Sequence, residues 1–139
     1  MKIEKLNHNG FGICYIDGKV TFVKNTLIGD EVEISIIKEH KTYNEAKVTK
    51  YITKSPLHTS PVCPYADKCG GCTYQIMSYE EELSQKQKVV EEILGKKSQI
   101  IKCDDYNYRN KITLKVKDGK IGFFEEGTHN LVSIEKCYL

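Results

Sequence analysis

The stretch "GICYIDGKVTFV", residues 12–23, decides how the first part of this chain folds. Apolar runs flank Asp17-Gly18, a pair that accepts the positive φ angles of a two-residue turn, so the segment reads as a tight β-hairpin. Downstream, "DEVEISIIKEH" (30–40) alternates at Val32, Ile34 and Ile36, the period of a half-buried strand. "EAKVTKYIT" (45–53) supplies Ala46, Val48, Tyr51 and Ile52 for one more. Five strands in about 54 residues, with no helical period, predict a small closed or nearly closed barrel. Cys14 lies on one of them and reads as a buried small apolar residue.

The remaining 85 or so residues are organised differently. Ser55-Pro56 punctuates the chain and marks the expected boundary. Ser78, with Glu81 three residues on, predicts a capping box at a helix start, and Gly95 a stop. Between them Tyr79, Leu83, Val90 and Leu94 fall near one face, while Lys86 and Gln87 read as side chains snorkelling at its edge. "KITLKVKDGKIGFF" (111–124) alternates at Ile112, Leu114 and Val116 and turns at Asp118-Gly119, a second hairpin. "NLVSIEKCYL" (130–139) reads as one further strand.

Composition narrows the classes. The 139 residues are 40% hydrophobic and 29% charged with three prolines, which suits one ordinary globular domain or two small ones. No apolar run approaches the ~18 residues of a membrane span. The start, MKIEKLNHNG, lacks the apolar core of a signal peptide, so the expected location is the cytoplasm. There, spaced cysteines read as metal-binding or catalytic rather than as disulfides. The net charge of +2 leaves no basic tail, but its distribution is uneven. Nine Lys/Arg face six Asp/Glu from Gly95 onward, against two Lys and five Glu from Ser78 to Leu94. That pattern suits an oriented surface for a polyanion, and ordinary solvated faces explain it equally well.

The chemistry concentrates in "CPYADKCGGCTYQ", residues 63–75. Cys63, Cys69 and Cys72 are spaced so that thiolates can converge, and Gly70-Gly71 remove side chains where the backbone must curl around a centre. Structural zinc usually takes its ligands from two short knuckles, and only one is present. Iron–sulfur clusters commonly take three ligands from one loop and a fourth from far away, so the spacing tilts towards 4Fe-4S with zinc as the alternative. A thioredoxin-like reading of CGGC requires a helix starting at the first cysteine, and the expected helix starts six residues after Cys72. An electron carrier leaves the barrel without a role. For a fourth ligand, Cys103 and Cys137 stand open on residue chemistry alone; Cys137 would close a long loop and so stabilise a small domain.

These residues resemble a known family. "CPYADKCGGCTYQ", the following "SYEEELSQKQKVVEEIL" with its internal Lys86, "YRNK" at 108–111 and "GTHNLVSIEKC" at 127–137 are similar to blocks of the RNA (uracil-5-)-methyltransferases. "NGFGICYIDGKVTFVKNTLIGDEVEISI" (9–36) resembles their TRAM domain, an OB-like RNA-binding barrel. His58 departs from the pattern, standing where the family often has arginine after "SP".

The resemblance implies a mainly β chain with an α+β second part: a TRAM barrel over 1–54, then an iron–sulfur domain over 55–139 with one main helix and a sheet. It assigns Cys63, Cys69, Cys72 and Cys137 to a 4Fe-4S cluster and leaves Cys14 and Cys103 structural. It implies structured RNA as partner, ribosomal rather than transfer RNA, with neither DNA nor membrane. The family's methyl transfer uses S-adenosylmethionine in a further catalytic domain that nothing here matches, so the chain is expected to be inactive alone. A separate methyltransferase domain is a candidate partner. Lys24, Lys41, Arg109 and Lys111 are the expected RNA contacts, each with a solvated or salt-bridged role as competitor. Arg109 leads them, because Tyr108 and Asn110 set stacking and hydrogen-bonding groups beside its charge.

Overall fold

The computed structural model describes residues 1–139. The first sheet comprises β1 (Lys5–Leu6), β2 (Gly12–Ile16), β3 (Lys19–Val23), β4 (Glu31–Glu39) and β5 (Tyr43–Thr53). The β2–β3 hairpin turns where expected, with Asp17 at φ 49° and Gly18 at φ 77° between the paired Ile16 and Lys19. The strands run in the order β1-β2-β3-β5-β4, and β3 and β5 pair in parallel. An antiparallel bridge from Lys2 to Glu31 joins the two ends of that order and closes a barrel of the OB kind.

Its core is small: Ile3, Cys14, Val23, Val32 and Ala46, with Ile34, Val48 and Tyr51 packed against it. Cys14 is buried as anticipated, and that burial pushes its thiol pKa up. The alternation on β4 fades along the strand: Val32 is buried, Ile34 is half-buried and Ile36 is exposed. Register shifts at three places along the β4–β5 pair carry the far end of β4 away from the core.

A buried carboxylate holds the barrel to the segment that leaves β5. Asp30 is fully buried and accepts the Leu27 and Ser55 backbone N–H groups, each at 2.7 Å. His58 Nε2 lies 2.9 and 2.8 Å from its two oxygens. The Ser55-Pro56 stretch is therefore pinned rather than loose. His58 spends its ring on Asp30.

The second part contains α1 (Tyr79–Leu94) and a three-stranded antiparallel sheet of β6 (Lys115–Lys117), β7 (Lys120–Phe124) and β8 (Leu131–Ser133). Ser78 caps α1 by accepting the Glu81 N–H at 3.2 Å, and Gly95 ends it at φ 64° with its N–H on the Glu91 carbonyl. Only half of the capping box forms, because the Glu81 carboxylate instead accepts the Gln85 amide at 2.6 Å. The apolar stripe is also corrected. Gln85 is the buried residue of the helix, while Val90 and Leu94 are 43% and 62% exposed.

Asp118 and Gly119 make the second hairpin at φ 51° and 73°. β6 and β8 are both shorter than the alternation suggests: residues 111–114 and 134–139 lie outside the sheet. The chain there turns aside to line a cavity instead of continuing the ladder. No helix is long and apolar enough to cross a membrane.

Asp30→Ala leaves two buried N–H groups and a histidine without their acceptor, which should cost about 3 kcal/mol. Urea unfolding followed by circular dichroism measures it, and an unshifted midpoint would show that the clasp carries no stability.

Candidate metal centre

Turns shape the cysteine loop. Backbone N–H groups of Ala66, Lys68 and Cys69 return to the carbonyls of Cys63 and Tyr65, and Gly70 N–H reaches the Phe124 carbonyl at 3.0 Å. Cys69 thereby bridges to Glu125 at the end of β7. Gly70 is required by this approach: a Cβ there would sit 2.8 Å from Glu126 N and from Phe124 O, backbone atoms that cannot yield. The loop also holds the end of the chain, since the Tyr65 hydroxyl accepts the Glu135 N–H at 3.3 Å. On the other side, Asn107 N–H donates to the Tyr138 carbonyl at 2.8 Å.

These ties bring Cys63, Cys69, Cys72 and Cys137 onto the wall of one cavity of about 400 Å³. All four are partly buried. Burial pushes the Cys69 and Cys72 thiol pKa values up, and negative charge on the other three cysteines pushes Cys72 further in the same direction. Against this, the Gly71 backbone stabilises the Cys69 thiolate and the Gln75 side chain that of Cys72. Four such thiols crowded in one pocket repel each other as thiolates and accept a shared cationic centre. No three His, Cys, Asp or Glu side chains converge tightly enough to hold a single metal ion.

Of the two cysteines left open as a fourth ligand, Cys103 is placed elsewhere. It is exposed, and its sulfur lies 3.9 Å from the Tyr79 hydroxyl. The four basic residues singled out from the sequence do not form one patch. Arg109 and Lys111 border the cysteine cavity. Lys24 lies 3.1 Å from the Glu126 carboxylate and 5.4 Å from the centre of the Phe11 ring, so it joins the barrel to the loop after β7. Lys41 is exposed in the turn between β4 and β5. Sequence reasoning missed Tyr65 and Lys136, which also border the cavity. Tyr65 follows a cysteine by two positions in a turn-rich loop, and that is the one local signal it carries.

Residues 1–49 match the TRAM domain. Over its full length the chain is 34% identical to a protein of Aquifex aeolicus described as an uncharacterized RNA methyltransferase, covering 35% of that protein. It is 30% identical to the 23S rRNA (uracil(1939)-C(5))-methyltransferase of Shewanella amazonensis over 99% of this chain and 34% of that one. The crystal structure of Pyrococcus abyssi tRNA (uracil-54, C5)-methyltransferase with S-adenosyl-L-homocysteine superposes with a TM-score of 0.75 at 28% identity, over 99% of this chain and 31% of that one.

The fold and the matches define a TRAM-containing, mainly β protein with one helix. Over nearly its whole length the chain is thus similar to a part of RNA methyltransferases, two of them named as uracil-C5 enzymes, and it spans about a third of the length of the relatives it matches.

Gly70→Ala should destabilise the chain by roughly 1–3 kcal/mol as the cysteine loop is forced off β7. Gly71→Ala, whose Cβ would come no nearer than 3.4 Å to the Cys69 sulfur and 4.0 Å to the Phe123 ring, should cost less. Equal effects of the two, read by urea titration, would contradict the packing described.

Proposed function

We propose that this chain is the RNA-binding, 4Fe-4S-bearing part of an S-adenosylmethionine-dependent RNA (uracil-5-)-methyltransferase, with a barrel over 1–54 and a cluster-bearing unit over 55–139. The carrying observation is that Cys63, Cys69, Cys72 and Cys137 line one cavity while Cys14 and Cys103 lie elsewhere. These four would hold the cluster. Three cysteines from one loop joined by a distant fourth suit a polynuclear group better than the two short knuckles usual for structural zinc. When bound, the cluster supplies a rigid cross-link between the loop and the end of the chain. Zinc in the same cysteines, in a module without catalysis, is the second reading.

The chain's own residues then present RNA to a methyl-transferring domain, a domain that the relatives' greater length leaves room for. Arg109 and Lys111 beside the cavity, and Lys41 on the barrel, offer charge to a phosphate backbone. Lys24 is engaged with Glu126 and is the weakest of the four. The relatives' names include both ribosomal and transfer RNA enzymes, so they do not favour the ribosomal expectation.

After anaerobic reconstitution, the chain should carry iron and inorganic sulfide in equal amounts. Cys137→Ser should lose both, together with stability, and Cys103→Ser should keep them. Tightly held zinc without sulfide would establish the second reading instead, and iron loss in the Cys103 variant alone would overturn the ligand set.

Binding of structured RNA should weaken as salt rises, and Arg109→Ala should weaken it several-fold at unchanged iron content. Salt-independent affinity that the variant leaves intact would remove this surface from RNA recognition.

A further inference from the structure

A second cavity, of about 440 Å³, adjoins the first and shares Cys72, Gln75 and Arg109 with it. Four of the chain's nine tyrosines, Tyr74, Tyr79, Tyr106 and Tyr108, line it. None of them is buried in a core, so packing does not account for the concentration. The rings come from three separate segments: the turn after Cys72, the first turn of α1 and the stretch before Lys111. The Tyr79 hydroxyl donates to the Cys103 carbonyl at 2.9 Å, tying the helix to that last stretch. Asn107 takes a left-handed conformation, φ 55°, and the residues on both sides of it, Tyr106 and Tyr108, stand on the wall.

The polar groups here are mostly acceptors. Lys86 is taken up by Glu82 and lies 5.6 Å from the centre of the Tyr74 ring. Asp104 and Asp105 are exposed on the cavity wall. The Gln75 Oε1 is buried without a hydrogen-bond partner. Arg109 is the remaining cation, 5.9 Å from the centre of the half-exposed Tyr108 ring. Aromatic walls suit a flat, neutral, polarisable group, and a carboxylate rim suits one whose edge donates hydrogen bonds. Phosphates are repelled by that rim and belong outside it, on the Arg109 and Lys111 side.

We infer that this cavity receives one unstacked nucleobase of the bound RNA, and guanine in preference to uracil. Tyrosine rings stack on any base. Discrimination comes from the edge. Guanine offers N1–H and the N2 amino group side by side to a carboxylate, whereas uracil flanks its single N–H with two carbonyls that the carboxylate repels. This inference rests on the proposed RNA-binding function and adds a site, a ligand class and a base preference to it.

The test uses the reconstituted 139-residue chain and two fluorescent single-stranded oligoribonucleotides, one all uridine and one with a single central guanosine. The guanosine oligonucleotide should bind on the order of tenfold more tightly. Tyr108→Ala should lose that margin, while Tyr108→Phe, which keeps the ring, should retain it. The double variant Asp104→Asn/Asp105→Asn should bring the two affinities together with iron content unchanged. Equal binding of both oligonucleotides by the unaltered chain overturns the inference and leaves RNA binding standing. So does a guanosine margin that survives both Tyr108→Ala and the aspartate variant. If the unaltered chain binds neither these oligonucleotides nor structured RNA, the RNA-binding reading itself fails.

Discussion

Asp30 sits where three stretches of chain meet, and its carboxylate satisfies donors from all of them: the β3–β4 turn, the segment leaving β5, and His58. A charge withdrawn from water is tolerable only when its oxygens are well satisfied, and a carboxylate so placed fixes its donors as firmly as they fix it. Because His58 in turn bridges to Met77, just before α1, the same carboxylate governs how the cysteine loop departs from the barrel and returns to it. The edge-on contact of the Tyr51 ring with His58, at 5.7 Å between centres, braces the arrangement from the barrel side. The Lys24–Glu126 pair adds a second tie, from the barrel to the loop after β7.

Beyond residue 60 the molecule has little core of its own. Met77, Gln85 and Gly122 are the buried residues there, while Ile93, Ile101 and Val116 are 74%, 93% and 72% exposed. A segment that buries so little apolar surface needs another source of order. Cross-linking by the four cysteines, under the proposed function, supplies it at the point where the loop and the end of the chain already touch through Tyr65 and Glu135. The same thinness of core leaves the tyrosines free to line a cavity.

Much was legible in the residues because the signals are local. Asp17-Gly18 and Asp118-Gly119 specify turns through two backbone conformations each. Ser78 and Gly95 delimit α1 through hydrogen bonds within one helical turn, and the CGGC spacing marks a tight cysteine-bearing loop by itself. The alternation at Ile112, and that beyond Ser133, misled for the opposite reason. A period-two pattern says that a residue can face inward, and there the inward direction is a cavity wall instead of a sheet. The stripe on α1 misled in its second half, since Gln85 is the buried residue of the helix while Val90 and Leu94 are exposed.

What the residues determined alone is therefore the set of hairpins, the helix and its caps, and the three-cysteine loop, each a matter of a few neighbouring dihedrals. Tertiary structure alone decided that Cys137 and not Cys103 joins that loop's cavity. It also decided that His58 serves Asp30, and that Arg109 borders thiols and tyrosines alike. Those outcomes depend on contacts between residues tens of positions apart, where chain connectivity imposes no spacing and only the packed geometry selects the partner.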